Sequence, residues 1–114
     1  MKIAIIGSRE CSNIDFVGNL EAVLNVSKND TIISGGAKGI DTLAAKYAKE
    51  KNISLIEFLP DYKKNGRAAT FIRNREIVDN STIVVAFWNG KSKGTKYTLD
   101  YARKKDKRII VVSI

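Results

Sequence analysis

The 114-residue chain contains no histidine and only one cysteine, Cys11. Without histidine, it cannot assemble the common histidine-containing zinc sites or a serine–histidine or cysteine–histidine catalytic pair. Cys11 cannot form a disulfide within the chain, and it has no partner residue that would make it a credible nucleophile. These absences exclude a large part of enzyme chemistry, and we expect neither a metal ion nor a cofactor.

Long hydrophobic runs are also absent. No apolar segment approaches the ~18 residues that cross a bilayer, and the first residues lead directly into a strand pattern instead of a signal peptide. Hydrophobic residues make up 44% of the chain and charged residues 28%, which is typical of one soluble globular domain. We therefore expect a single domain over residues 1–114, a cytoplasmic location and no membrane partner.

Acidic residues are scarce relative to basic ones, and the net charge is +8. Residues 1–57 hold 7 basic and 7 acidic residues, whereas residues 58–114 hold 13 and 5. A positive field of this kind attracts the phosphates of a nucleotide or of a nucleic acid. It is also a common way of keeping a protein soluble, so the charge alone does not identify a partner.

Five short apolar segments alternate with four segments of helical periodicity. The predicted strands span residues 2–7, 31–34, 54–58, 82–88 and 108–114, and the predicted helices span residues 15–26, 39–51, 67–80 and 95–105. Residues 59–66 contain the only proline and show no periodicity, so we predict a loop long enough to act as a lid. This alternation predicts a three-layer α/β fold with a five-stranded parallel sheet in the order 3-2-1-4-5.

In that order the sheet changes direction between strands 1 and 4, and ligands bind there, outside the carboxyl ends of the strands. The most distinctive loop at this edge is SGGAKGID, residues 34–41. Its three glycines allow close approach to backbone N–H groups at a helix N-terminus, which favours a phosphate. The same glycines could serve only a tight strand-to-helix connection, and the loop by itself leaves both interpretations open.

Several charged and polar residues at this edge allow two interpretations each. Arg9 could pair with a phosphate or form a surface salt bridge. Asp41 could accept hydrogen bonds from ribose hydroxyls or complement the helix N-terminus. Asn74, next to Arg73 on the third predicted helix, could contact a loop backbone, the ligand or only the helix surface.

The loop after the fourth strand supplies a second group of candidates. Trp88 could stack on a base, with Tyr62 of the lid loop on the opposite face, but core packing is the favoured role of Trp88. Ser92 and Thr95 could donate hydroxyl groups to a phosphate while Gly94 exposes its N–H. Thr95 could also be the N-cap of the last helix.

Four motifs stand in order along the chain: GSR at residues 7–9, SGGAKGID at 34–41, RNREIV at 73–78 and AFWNGKSKGT at 86–95. Together they resemble the SLOG superfamily, a Rossmann-like group that includes DNA-processing protein A, the YpsA-like proteins and the Lonely Guy phosphoribohydrolases. Each motif is weak alone, but four in register over nearly the whole chain are specific. The pattern is most similar to that of the small stand-alone YspA- and YpsA-like members.

The resemblance implies a Rossmann-like domain that binds a nucleotide or a nucleotide-derived molecule and assembles into a homodimer or a higher homo-oligomer. With the residue-level arguments, it places sixteen candidate ligand contacts around one cleft. These are Gly7, Ser8, Arg9, Ser34, Gly35, Gly36, Ala37, Gly39, Asp41, Arg73, Asn74, Trp88, Gly90, Ser92, Gly94 and Thr95.

One departure from the family pattern bears on catalysis. In the Lonely Guy enzymes, an arginine on the third helix and a glutamate three residues after the glycine-threonine pair carry N-glycosidic hydrolysis. Arg73 matches that arginine, but Thr98 holds the glutamate position. A threonine supplies neither a general acid-base group nor an oxocarbenium-stabilising charge there. We therefore favour a binding protein without catalytic residues, which senses, carries or sequesters its ligand.

Two alternatives stay open. The first is binding of single-stranded DNA in the manner of DNA-processing protein A, because the arginine-asparagine motif is shared and the second half of the chain is basic. The second is an N-glycosidase or phosphoribohydrolase acting on nucleotides, with Asp41, Glu76 or Asp100 as the carboxylate. For Glu76, an ion pair with Arg73 one helical turn away is the commoner role.

Overall fold

The computed structural model describes residues 1–114 and contains one sheet of five parallel strands. The strands are β1 (Lys2–Gly7), β2 (Thr31–Ser34), β3 (Ser54–Glu57), β4 (Ile83–Trp88) and β5 (Arg108–Ser113). Their order is β3-β2-β1-β4-β5, and every neighbouring pair is parallel. The predicted strand order is therefore confirmed.

Five helices connect the strands. They are α1 (Phe16–Val23), α2 (Ile40–Glu50), α3 (Tyr62–Asn65), α4 (Ala69–Asp79) and α5 (Lys93–Lys104), and a 3₁₀ turn (Gly66–Ala68) joins α3 to α4. No helix is both long enough and apolar enough to span a lipid bilayer.

The sheet is covered on both faces, which explains why its central strands are apolar throughout. On β1, Ile3 and Ile5 belong to the core formed with α1 and α2, whereas Ala4 and Ile6 belong to the core formed with α4 and α5. Successive residues of a strand point to opposite faces, so a strand buried on both sides has no polar position to spare. The result is the three-layer α/β arrangement that the alternating pattern predicts.

The segment after β3 differs from the predicted loop. Residues 59–61 are irregular, but Tyr62–Asn65 form the one-turn helix α3. The Asp61 side chain caps this helix by accepting a hydrogen bond from the N–H of Lys64, at 3.1 Å. A four-residue helix is too short to show hydrophobic periodicity, so only the capping aspartate indicates it in the sequence.

Two helix termini also differ from expectation. The N-cap of α5 is Ser92, not Thr95, and the Ser92 hydroxyl accepts a hydrogen bond from the Thr95 N–H at 3.4 Å. The C-terminus of α1 is at Val23 instead of the predicted residue 26, because Leu24 takes an extended conformation with φ −151° and ψ 136°. The first difference matters for function, because it places Gly94 and Thr95 inside the first turn of α5.

Candidate functional site

A cavity of about 570 Å³ lies at the carboxyl edge of the sheet, where the strand order changes direction between β1 and β4. Its walls come from the loops after β1, β2 and β4 and from helices α4 and α5. Ten of the sixteen candidate residues line this cavity: Gly7, Ser8, Arg9, Ala37, Asp41, Arg73, Asn74, Ser92, Gly94 and Thr95. We refer to it as the main cleft.

A second cavity of about 520 Å³ lies between the β2–α2 loop and the β3–α3 loop. Gly35 and Gly36 line it, and so do Leu59, Pro60 and Tyr62. It shares four lining residues with the main cleft: Arg9, Glu10, Ala37 and Arg73. The two cavities therefore adjoin each other along this shared wall, and we refer to the second as the side cavity.

Four candidate residues line neither cavity: Ser34, Gly39, Trp88 and Gly90. The Trp88 indole packs against the core beneath α4 and α5, and its N–H donates to the Ser92 carbonyl at 3.1 Å. Trp88 thus fixes the position of the β4–α5 loop from below. Gly39 is buried, and it lies directly against the backbone of the β1–α1 loop.

Arg73 is the most buried basic residue of the site, with 6% of its surface exposed. Its Nη1 donates to the carbonyl oxygens of Gly35 at 2.6 Å and Phe58 at 3.3 Å, and its Nε donates to Asn74 Oδ1 at 2.9 Å. One side chain of α4 therefore holds the loops after β2 and β3. The remaining terminal nitrogen, Nη2, has no protein partner, and Arg73 lines both cavities. Burial lowers the pKa of the Arg73 guanidinium, and the nearby Asp41 carboxylate opposes this effect.

Asp41 stands at the second position of α2 and reaches back over the glycine-rich loop. Its Oδ2 accepts a hydrogen bond from the Ala37 N–H at 3.1 Å. Burial raises the pKa of the Asp41 carboxyl, while the Ala37 N–H and the charge of Arg73 act in the opposite direction. The Asp41 carboxyl group thus occupies the Ala37 N–H, which is one of the loop amides expected from the sequence to bind a phosphate.

Two further amides of the same loop are also occupied within the protein. The Gly36 N–H donates to Ser34 Oγ at 3.4 Å, and the Ile40 N–H donates to the Ser8 carbonyl at 3.2 Å. The loop of residues 34–41 therefore offers fewer free donors than its three glycines suggest.

The β4–α5 loop, in contrast, has backbone N–H groups that are free to bind a ligand. Asn89 Oδ1 accepts from the N–H groups of Lys91 and Ser92, at 2.8 and 3.2 Å, and this shapes the turn. The next two N–H groups, of Lys93 and Gly94, have no acceptor in the protein. They lie in the first turn of a twelve-residue helix, where N–H groups and the helix dipole favour an anion. The exposed side chains of Lys91 and Lys93 add two positive charges at this end of the main cleft.

At the glutamate position of the Lonely Guy pattern, Thr98 is buried, and its hydroxyl donates to the Gly94 carbonyl at 2.9 Å. The other proposed carboxylates lie outside the cleft. Glu76 is exposed and forms no ion pair with Arg73, whereas Asp100 pairs with Lys96 at 2.9 Å and Arg103 at 3.0 Å on the surface.

Two carboxylates line the main cleft, those of Asp41 and Glu10. Glu10 is not among the sixteen candidates from the sequence, although its position directly after the GSR motif indicates that it lies at the same edge of the sheet. Arg9 is exposed and forms no ion pair, so its guanidinium is available at the wall between the two cavities.

A family model described as YAcAr, the YspA, cpYpsA-related SLOG family, matches residues 1–65. No curated protein matches the chain in sequence.

Among solved structures, the chain is similar to DNA processing protein A from Streptococcus pneumoniae, with 23% identity and a TM-score of 0.76 over 96% of this chain and 49% of that one. It is similar to DNA processing protein A from Helicobacter pylori, described for its single-stranded DNA binding mode, with 24% identity and a TM-score of 0.76. That match covers 97% of this chain and 64% of the other. The protein TM1055 matches with 17% identity and a TM-score of 0.68, over 95% of this chain and 71% of that one. The chain thus spans 49% and 64% of the two DNA processing proteins, and these likenesses show the fold.

Proposed function

Because the chain belongs to the YspA- and cpYpsA-related SLOG family, we propose that it binds a nucleotide or a nucleotide-derived small molecule in the main cleft and does not hydrolyse it. The single observation that carries this proposal is the β4–α5 end of the cleft. There, two unpartnered N–H groups and two exposed lysines converge, in a fold whose ligands bind at this edge.

We place the phosphate at this end rather than on the glycine-rich loop, where the N–H groups of Gly36, Ala37 and Ile40 are already bound within the protein. Hydrogen bonds with one charged partner are roughly twice as strong as neutral ones, and N–H groups without an acceptor are the ones free to form them. The Ala37 N–H is already bound to Asp41, so a phosphate there would have to displace a carboxylate of the same sign of charge. Asp41 and Glu10 instead suit the hydroxyl groups of a ribose, which donate hydrogen bonds to carboxylates.

The part of the proposal that excludes hydrolysis rests on Thr98. Its hydroxyl is bound to the Gly94 carbonyl, and a threonine has no ionisable group with which to exchange a proton near neutral pH. A protein of this kind senses, carries or sequesters its ligand, with its output passing to a homo-oligomer or to a partner chain.

Reversing the charge of the anion end tests the proposal. The double variant Lys91→Glu/Lys93→Glu is expected to bind AMP or GMP at least about tenfold more weakly, because the loss of even one charge-assisted contact costs about 1.5 kcal/mol, which is about a tenfold change in affinity. Isothermal titration calorimetry measures the change. The matched control is Lys104→Glu/Lys105→Glu, which makes the same change in net charge at the opposite end of α5 and should leave the affinity unaltered.

Equal weakening by both double variants would show that the lysines contribute only a diffuse field. Chromatography of the nucleotide after incubation tests the second part of the proposal, since release of a free base would favour the N-glycosidase alternative.

The second candidate function is binding of single-stranded DNA. It is supported by the likeness to the Helicobacter pylori protein and by the basic second half of the chain. Affinity for a short single strand that falls steeply as salt rises, without affinity for mononucleotides, would favour this candidate.

A further inference from the structure

The two adjoining cavities together run from the loop after β4 to the loop after β3. The main cleft reaches the loop after β4, and the side cavity reaches the loop after β3. These strands are three places apart in the order β3-β2-β1-β4, which corresponds to about 14 Å at the usual spacing of neighbouring strands. A nucleotide that occupies the main cleft, with its phosphate at Lys93 and Gly94, does not use the walls that Leu59, Pro60 and Tyr62 provide in the side cavity.

The side cavity differs chemically from the anion end of the main cleft. Two large side chains on its wall are unusually exposed, with Leu59 at 67% and Tyr62 at 59% of their surface. Pro60 lies between them. An apolar and aromatic wall of this kind suits a flat ring, because a base can stack on tyrosine and pack against aliphatic atoms whatever its pattern of hydrogen-bonding groups.

The backbone at Gly36 brings this wall close to the glycine-rich loop. Gly36 has φ +66°, and a Cβ atom there would lie 2.6 Å from Leu59 Cδ2. A residue with a side chain would push Leu59 away and narrow the cavity. The β2–α2 glycines thus make room for the side cavity, which is a use for them other than binding phosphate.

The wall shared by the cavities carries Arg9 and Arg73, two guanidinium groups with free donors. Arginine forks match the oxygens of a phosphate, so a linker between two parts of a ligand would be held here. From this arrangement we infer that the ligand has two parts, a nucleotide in the main cleft and a second nucleoside in the side cavity, joined through a phosphate linkage at the arginines. This inference rests on the proposed function of the main cleft.

The affinities of a mononucleotide and of its two-part counterpart test the inference. The probes are AMP and GMP, compared with the linear dinucleotides pApA and pGpG, in which the 5′-phosphate of the first nucleotide is free for the anion end and a 3′–5′ phosphodiester joins the second nucleoside. We expect the linear dinucleotide of one pair to bind at least about tenfold more tightly than its mononucleotide, because the second nucleoside adds contacts without a second loss of translational freedom.

The variant Leu59→Ser/Tyr62→Ser is expected to remove this advantage while leaving the affinity for the mononucleotide unchanged. Both side chains are exposed, so the fold should tolerate the change, and thermal unfolding checks this. The control is Val111→Ser, an exposed apolar residue on edge strand β5, which should alter neither affinity.

The outcomes separate the two proposals. Binding of a mononucleotide with no gain from the second nucleoside would overturn the inference and leave the proposed function intact. A gain that persists in Leu59→Ser/Tyr62→Ser would overturn the placement of the second nucleoside in the side cavity. Failure of every probe to bind the wild-type protein would overturn both.

Discussion

The variant Arg73→Ala is expected to lose about 3 kcal/mol of the free energy of unfolding and to lose affinity for any ligand of the cleft. Arg73 is buried, and its guanidinium is the donor to the carbonyl oxygens of Gly35 and Phe58. Hydrogen bonds from a charged group contribute about 1.5–3 kcal/mol each, and removing the donor leaves carbonyl acceptors inside the protein without a partner. Few single side chains in this chain join as many separate segments.

The loss of ligand affinity has a second cause beyond the missing donor. Arg73 holds the loops after β2 and β3 against α4. The first of these loops contributes Ala37 to the wall between the two cavities, and the second lines the side cavity. Without Arg73, the Asp41 carboxylate also lacks its nearest buried counter-charge, so the cleft becomes less favourable for an anion.

Chemical denaturation measures the effect of Arg73→Ala on stability. The matched control is Arg67→Ala, because Arg67 lies in the preceding 3₁₀ turn, is exposed, and forms neither a salt bridge nor a side-chain hydrogen bond. That variant should stay within about 0.5 kcal/mol of the wild type. Similar losses for the two variants would contradict the role of Arg73 as the link between the loops.

The variant Gly39→Ala is expected to lose about 4 kcal/mol, or to fail to fold. Gly39 has φ +71° and ψ −125°, a conformation that residues with a side chain rarely adopt. A Cβ atom there would also collide with the Ser8 carbonyl oxygen and would lie 2.6 Å from the Arg9 carbonyl oxygen. Both contacts are with backbone atoms, so no side-chain rotation relieves them. The backbone strain and the overpacking together account for the expected loss of about 4 kcal/mol.

Gly66 provides a control with almost the same backbone. Its φ is +54° and its ψ is −130°, but no atom lies within 4 Å of the position where a Cβ would stand. Gly66→Ala should therefore cost only the backbone strain, about 1–2 kcal/mol. The difference between the two variants, measured by denaturation, isolates the collision with the β1–α1 loop. Equal losses would mean that the close approach of the two loops is unimportant.

The strand order and the edge of the sheet that carries the main cleft could be predicted from the sequence. The five apolar segments are nearly continuous because both faces of the sheet are covered, and that pattern differs clearly from the helical spacing between them. Once the strands are parallel, geometry brings their carboxyl ends to one edge, together with the loops that follow them. The polar residues of all four motifs consequently meet in the main cleft.

The hydrogen bonds inside the site could not be predicted in the same way. Nothing local in the sequence tells that Asp41 accepts the Ala37 N–H or that Arg73 reaches Gly35, 38 positions away. A glycine-rich loop looks alike in sequence whether its amides are free or already bound. The sequence therefore located the loops, but only the three-dimensional arrangement distinguishes the occupied donors of the β2–α2 loop from the free donors of Lys93 and Gly94.

The side cavity could not be predicted from the sequence for a related reason. The sequence allows Tyr62 to cover a base opposite Trp88 but favours core packing for Trp88, and the structure has Trp88 packed against the core. Tyr62 lies on the wall of a separate cavity. The short helix α3 sets this position of Tyr62, and a single turn leaves almost no trace in a hydrophobic pattern.

The most direct test of the account is a two-dimensional ¹H–¹⁵N NMR titration of the labelled protein with AMP and GMP, which reports on each backbone amide separately. If the phosphate binds at the first turn of α5, one of the two nucleotides should shift the amide signals of Lys93 and Gly94 most strongly, because these N–H groups are free to bind it. The Ala37 signal should move less, since its N–H stays bonded to Asp41. Shifts concentrated at Gly36 and Ala37 with none at Lys93 and Gly94, or no shifts with either nucleotide, would contradict the account.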